Sequence, residues 1–151
     1  SQKNAASATK PALTLESYLA DATPLQGQVA QSIWQDAAKH GYVIRWPATA
    51  FTVRARHPVS KAEMTFLYGF ADHTDFYFGY LPLSDAAATK LRSELLATCV
   101  FAESGKQALM GVPVDAQNHQ AISQALALIY ERVDELLSQI ALDAQSQSTS
   151  Q

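Results

Sequence analysis

Cysteine is nearly missing from this chain of 151 residues. The lone Cys99 rules out an intramolecular disulfide, and with it a disulfide-stapled secreted scaffold. A reducing, cytoplasmic setting is the simplest inference. Long apolar runs are missing too. None approaches the roughly 18 residues that a membrane helix needs, and the opening "SQKNAASATK" lacks a signal-peptide core. No membrane partner is expected. A basic surplus is also absent: the formal charge is −3 and the pI about 5.7, which argues against a dedicated nucleic-acid binder. The chain begins with serine, as a processed product or a fragment of a longer protein would.

The usual signatures of chemistry are absent as well. His40, His57, His73 and His119 are scattered, and there is no HxxxH, HExxH or CxxC to hold a metal. "DHTD" gathers Asp72, His73 and Asp75, which reads as a polar hairpin tip rather than a cation site. No GxSxG marks an activated serine, and Cys99 in "TCVF" reads as a buried structural thiol. The six glycines form no phosphate-cradling array. Glu63 stands alone, without a second carboxylate or a lysine to make a nuclease-like hairpin. We expect no enzyme, no cofactor and no metal.

What is there is patterning. At 48% hydrophobic and 17% charged, the chain fits one ordinary domain with a real core. Residues 1–12 and 143–151 are small and polar and read as disordered tails or linkers, leaving a single domain over 13–142. "LTLESYLADA" suggests a short helical turn capped by Thr14. "TPLQ" predicts a helix from Pro24 to about His40, with Thr23 as N-cap and Gln26 closing a capping box. Leu25, Val29, Ile33 and Ala37 form its stripe, Trp34 flanks it, and Gly41 ends it.

From Tyr42 the period changes to two. "AFTVRAR" sets Phe51, Val53 and Ala55 against Thr52, Arg54 and Arg56, the pattern of a half-buried antiparallel strand. "EMTFLYGF" puts Met64, Phe66, Tyr68 and Phe70 on one face. "FYFGYLPL" is a third strand, with Phe76, Phe78 and Tyr80 opposite Tyr77, Gly79 and Leu81. Both of its faces are apolar or aromatic, as in a strand covered on two sides. Ser84 caps a second helix that buries Leu91, Leu95, Leu96 and Cys99. "ESGKQ" is a turn, "ALMGVPV" a short strand, and a last helix from Asp115 or Asn118 carries Ile122, Leu126, Ile129, Val133, Leu136 or Leu137, and Ile140. The expected fold is α+β. A three- to four-stranded antiparallel meander carries helices mainly on one face, in the order α-β-β-β-α-β-α.

"ELLATCVF", leading through a glycine turn into "ALMGVPVD", resembles the helix and strand succession of type III secretion chaperones over residues 64–137. Those are small acidic dimers that wrap unfolded partners around a strand and helix surface. The resemblance involves no diagnostic motif and transfers no functional residue. The chain departs from it in lacking a strand after the glycine-turn strand and in being only mildly acidic.

Two stretches carry the functional expectation. From Ala37 to Ala62 there is no acidic residue, while Arg45, Arg54, Arg56, Lys61 and His57 mix with Tyr42, Trp46 and Phe51. Arg54 and Arg56 should project from one strand face about 7 Å apart, able to grip phosphates or an acidic partner. Such charges also guard edge strands against unwanted pairing. Tyr77 and Tyr80 are the candidate aromatic contacts. The reading is a non-enzymatic protein-interaction module, a subunit, adaptor or chaperone-like binding domain, whose partner is another protein or a second copy. The alternative is a nucleic-acid-binding accessory domain that uses the basic and aromatic patch.

Overall fold

The computed structural model describes residues 11–149, so all but the last two residues of the expected 1–12 tail lie outside it. Helix α1, Leu15–Asp21, starts from Thr14, whose hydroxyl accepts the Ser17 N–H at 3.0 Å while Ser17 Oγ accepts the Thr14 N–H at 2.9 Å. Helix α2, Pro24–His40, starts at Thr23 and ends on Gly41 at φ 76°, both as the sequence predicts. Gln26 does not close a capping box. The Thr23 N–H donates to the Ala71 carbonyl instead. Gln26 turns inward, fully buried, and donates from Nε2 to the Tyr18 hydroxyl at 3.0 Å and to Thr74 Oγ1 at 3.2 Å. Tyr18 passes its own proton to the Phe70 carbonyl at 2.6 Å. The amide nitrogen ties α1, α2 and the sheet together through two hydrogen bonds, while Gln26 Oε1 is buried without a partner among the described residues.

The sheet has six strands, not three to four: β1 Val43–Arg45, β2 Phe51–Arg56, β3 Glu63–Gly69, β4 Thr74–Tyr77, β5 Phe101–Glu103 and β6 Ala108–Gly111. They lie in the order β1-β2-β3-β4-β6-β5, every pair antiparallel. With helices α3, Asp85–Leu96, and α4, His119–Thr149, the chain order is α-α-β-β-β-β-α-β-β-α. The α+β class stands, and the strand count and order do not. The strands missed, β1 and β5, have three residues each, too short for alternation to register. No strand follows β6 among the described residues. The partner strand of that turn, β5, precedes it.

One irregularity sets the two faces of the sheet. Val53 pairs with Leu67 but Arg54 pairs with Thr65, so Phe66 is an extra residue in β3. At such a bulge the side-chain alternation slips. Phe66 and Leu67 both point inward and are fully buried, and Tyr68 is turned to the outer face, pairing with Thr52. The expected face of Met64, Phe66, Tyr68 and Phe70 therefore breaks at Tyr68. Strand β2 has no bulge of its own, so Phe51, Val53 and Ala55 face inward as read.

The inner face meets all four helices in one core: Tyr18 of α1, Ile33 of α2, Leu91 and Leu95 of α3, and Ile122, Leu126, Ile129 and Val133 of α4. Each fully buried Leu, Ile or Phe contributes about 1.5–3 kcal/mol. Ser84 caps α3 as expected, accepting the Ala87 N–H at 3.1 Å. Cys99, expected in the core, is exposed. The helix ends at Leu96, and Cys99 takes a left-handed φ of 63° that turns the thiol outward. The Asp115–Asn118 turn opens α4, Asp115 Oδ1 accepting the N–H groups of Gln117 and Asn118. Helix α4 runs on to Thr149, through the segment that the sequence reads as a tail. No described helix is long and apolar enough to cross a membrane.

Replacing Gln26 with Leu removes two buried hydrogen bonds and strands the Thr74 hydroxyl. The expected loss is about 1–3 kcal/mol, read as a lower urea midpoint at unchanged slope. Burial also pushes the Tyr18 phenol up to about 12 and raises those of Tyr42 and Tyr130. These folded values lie above the unfolded one near 10, so their stabilisation is intact below pH ~10 and lost as pH rises toward 12. Tyrosinate absorbance from these three should therefore appear together with loss of far-ultraviolet circular dichroism, not ahead of it.

Candidate functional site

Antiparallel register places residues in rows across the outer face, because directly paired residues share a side. One row runs Arg45, Thr52, Tyr68, Asp75. Met110 belongs beside Asp75, since its neighbour Leu109 pairs with Phe76, and Ala102 lies opposite Met110. The next row runs Val43, Arg54, Thr65, then Tyr77 and Ala108. Arg56 and Glu63 form the start of a third. Among the described residues, the buried side chains of the helices join the inner rows and not these outer ones.

The basic residues gather at one end of it. Arg45 makes a two-pronged contact through Nε and NH2 with the Glu63 carboxylate. Arg54 NH1 reaches the same carboxylate at 3.5 Å and Arg56 NH2 at 3.7 Å. Arg54 Nε also donates to Thr52 Oγ1 at 3.1 Å. The Arg45 hydrogen bond and the surrounding guanidiniums hold Glu63 below the usual carboxylate range, against a smaller upward push from burial. Three guanidiniums against one carboxylate leave two positive charges, on a chain whose net charge is −3. The Arg45 and Arg56 side chains are 52% and 49% exposed, and that of Arg54 29%.

The tyrosines gather at the other end. Tyr68 and Tyr77 meet edge-on at 6.4 Å, and Tyr77 and Tyr80 lie tilted to each other at 5.2 Å. Tyr77 and Tyr80 were read as lying on opposite faces of one strand. That strand ends at Tyr77, and the turn after it brings Tyr80 round beside Tyr77. Phe76 and Phe78 are buried, while Tyr80 is 58% exposed and Met110 47%. The segment is therefore covered on one side only, not on two. Tyr77 lies over Gly79, where a Cβ would overlap its ring. Burial, with neighbouring Tyr80 and Tyr77, raises the Tyr68 phenol above its ordinary range.

His57 and Lys61 belong to the turn between β2 and β3. His57 Nδ1 accepts the N–H groups of Val59 and Ser60 at 3.1 and 3.2 Å, and Lys61 Nζ donates to the Pro58 carbonyl at 2.8 Å. Of the predicted residues, the structure assembles Arg45, Arg54, Arg56, Tyr77 and Tyr80 on one face and uses His57 and Lys61 to shape a turn. Sequence reasoning missed Glu63, Tyr68 and Met110. The signal for Glu63 was present, since it pairs with Arg56 across a short turn.

Other polar clusters are structural. His73 Nδ1 lies 2.6 Å from Asp72 and its Nε2 3.3 Å from Asp75, while Asp75 also accepts the Gly111 N–H at 3.1 Å. Among the described residues no group of three or more His, Cys, Asp or Glu side chains is arranged to hold a metal ion. A broad groove of about 800 Å³ runs between α2 and α4. Beside it Asp134 bridges His40 at 2.5 Å and Tyr42 at 2.6 Å, joining the end of α2 to α4. No family model, curated protein or solved structure matches the chain.

Adding a methyl at Gly79 should displace the Tyr77 ring while leaving the fold intact. Gly79→Ala is expected to shift the ring-proton resonances of Tyr77 and Tyr80 at a stability cost of about 1 kcal/mol. Unmoved resonances would show that Gly79 does not set the tyrosine platform.

Proposed function

We propose that the chain is a non-enzymatic protein-interaction module, a subunit, adaptor or chaperone-like binding domain, whose outer sheet face takes another protein. The observation that carries this reading is the outer face itself, where Arg45, Arg54, Arg56, Tyr68, Tyr77, Tyr80 and Met110 lie together and, among the described residues, the helices pack into the core with the inner rows. Tyr, Arg and Met are the residue types enriched at protein interfaces, and contacts of this kind supply most of the binding energy. A rigid sheet holds them at low ordering cost.

The second reading is a nucleic-acid-binding accessory domain. The two uncompensated positive charges and the cluster of tyrosine rings favour it. The confinement of that charge to one end, with Asp75 at the other, weighs against it, because phosphates recur along the whole length of a nucleic acid.

The deciding comparison immobilises the chain beside a Tyr77→Ser, Tyr80→Ser, Arg54→Glu variant and exposes both to extract from the cells that make the protein. At least one protein should be retained by the chain and reduced about tenfold on the variant, which corresponds to about 1.4 kcal/mol. Equal retention on both would sink the reading. Light scattering at two concentrations then tells whether the retained partner is a second copy.

A further inference from the structure

We infer that the occupant of the outer face is an extended protein segment of divided chemistry. Its acidic side chains lie over β1 and β2, and its apolar side chains lie over β4 and β6. This rests on the interaction reading above and goes beyond it by fixing which chemistry meets which strand. The rows show a gradient across the sheet. Arg45, Arg54 and Arg56 stand on β1 and β2, with Glu63 beside them. The middle holds Thr52 and Thr65, whose hydroxyls are almost fully covered and offer a ligand little. Tyr68, Tyr77, Ala108 and Met110 follow, with Tyr80 standing beside Tyr77.

Length is consistent with one crossing segment. Six strands span five gaps of about 4.8 Å, roughly 24 Å, which an extended chain covers in about seven residues. Charge decides the orientation. A carboxylate at this corner meets the two net positive charges left by Arg45, Arg54, Arg56 and Glu63, on guanidiniums whose fork geometry suits paired hydrogen bonds. Over the tyrosine half it would meet Asp75 instead. Apolar side chains gain most beside Tyr80 and Met110, which are exposed, and the half-buried Tyr77. A single-stranded nucleic acid fits less well, since its phosphates recur along its whole length and the positive charge is confined to one end.

The test is a selection of displayed random peptides of about 12 residues, enough to cross the face with margin, on the immobilised chain at about 0.1 M salt. Enriched peptides should carry Asp or Glu about three to six residues from a group of apolar or aromatic residues, the two to four strand gaps that separate the halves. Binding of a synthesised winner should weaken about tenfold on Arg54→Glu with Arg56→Glu. It should also weaken on Tyr77→Ser with Tyr80→Ser, and by an intermediate amount on Arg54→Gln with Arg56→Gln. Winners that lack acidic residues and ignore the arginine variants, yet are lost on the tyrosine variant, would overturn the divided chemistry and leave the interaction reading standing. No enrichment over an unrelated immobilised protein, or winners indifferent to every variant, would overturn the interaction reading and the inference with it. A mixed-sequence oligonucleotide bound more tightly than any winner, and lost on the arginine variants, would replace both with the nucleic-acid reading.

Discussion

The extra residue in β3 is the constraint on which the molecule turns. A strand with unbroken alternation would bury Phe66 and leave Leu67 on the opposite face, while Tyr68 joined the core. By inserting one residue against β2, the bulge at Phe66 buries both Phe66 and Leu67 and sends Tyr68 outward to meet Tyr77. The inner face gains a large side chain and the outer face gains its third tyrosine from a single backbone irregularity. Bulges of this sort re-aim side chains, and here the result separates a packed side from an aromatic one.

The opposite end of the same face is governed by charge. Glu63 is 19% exposed and surrounded by arginines from β1 and β2. Surface pairs of this kind contribute little to stability. Their effect here is positional, because the carboxylate draws three guanidiniums to one corner of the sheet. The outer face can therefore carry strong positive charge while the protein as a whole remains acidic.

How much of this is visible in the amino-acid order depends on how local the cause is. Thr23 and Ser84 are caps whose partners lie three residues on, and both are legible. Arg54 and Arg56 share a face because β2 is regular over six residues. The α+β class follows from the change of period at Tyr42. What escapes is set at longer range or by exceptions to a period. Gln26 looks like a cap residue because its buried partner Thr74 lies 48 positions away. Tyr68 is placed on the wrong face because a bulge has no composition cue. Cys99 sits after the end of a helix, and its left-handed backbone, not its neighbours, decides where the thiol points. Strands β1 and β5 are defined by the partners they meet, not by their own three residues.

The aromatic residues also divide the molecule optically. Both tryptophans, Trp34 and Trp46, lie in one inner cluster with Tyr18 and Phe51, with ring centroids 5.0–6.5 Å apart. The outer rows carry tyrosines alone. Light absorbed selectively by indole therefore reports on the seam between α1, α2 and β2 and is silent about the outer surface. The chain thus carries its own internal gauge of integrity, one that stays dark to whatever settles on the other side of the sheet.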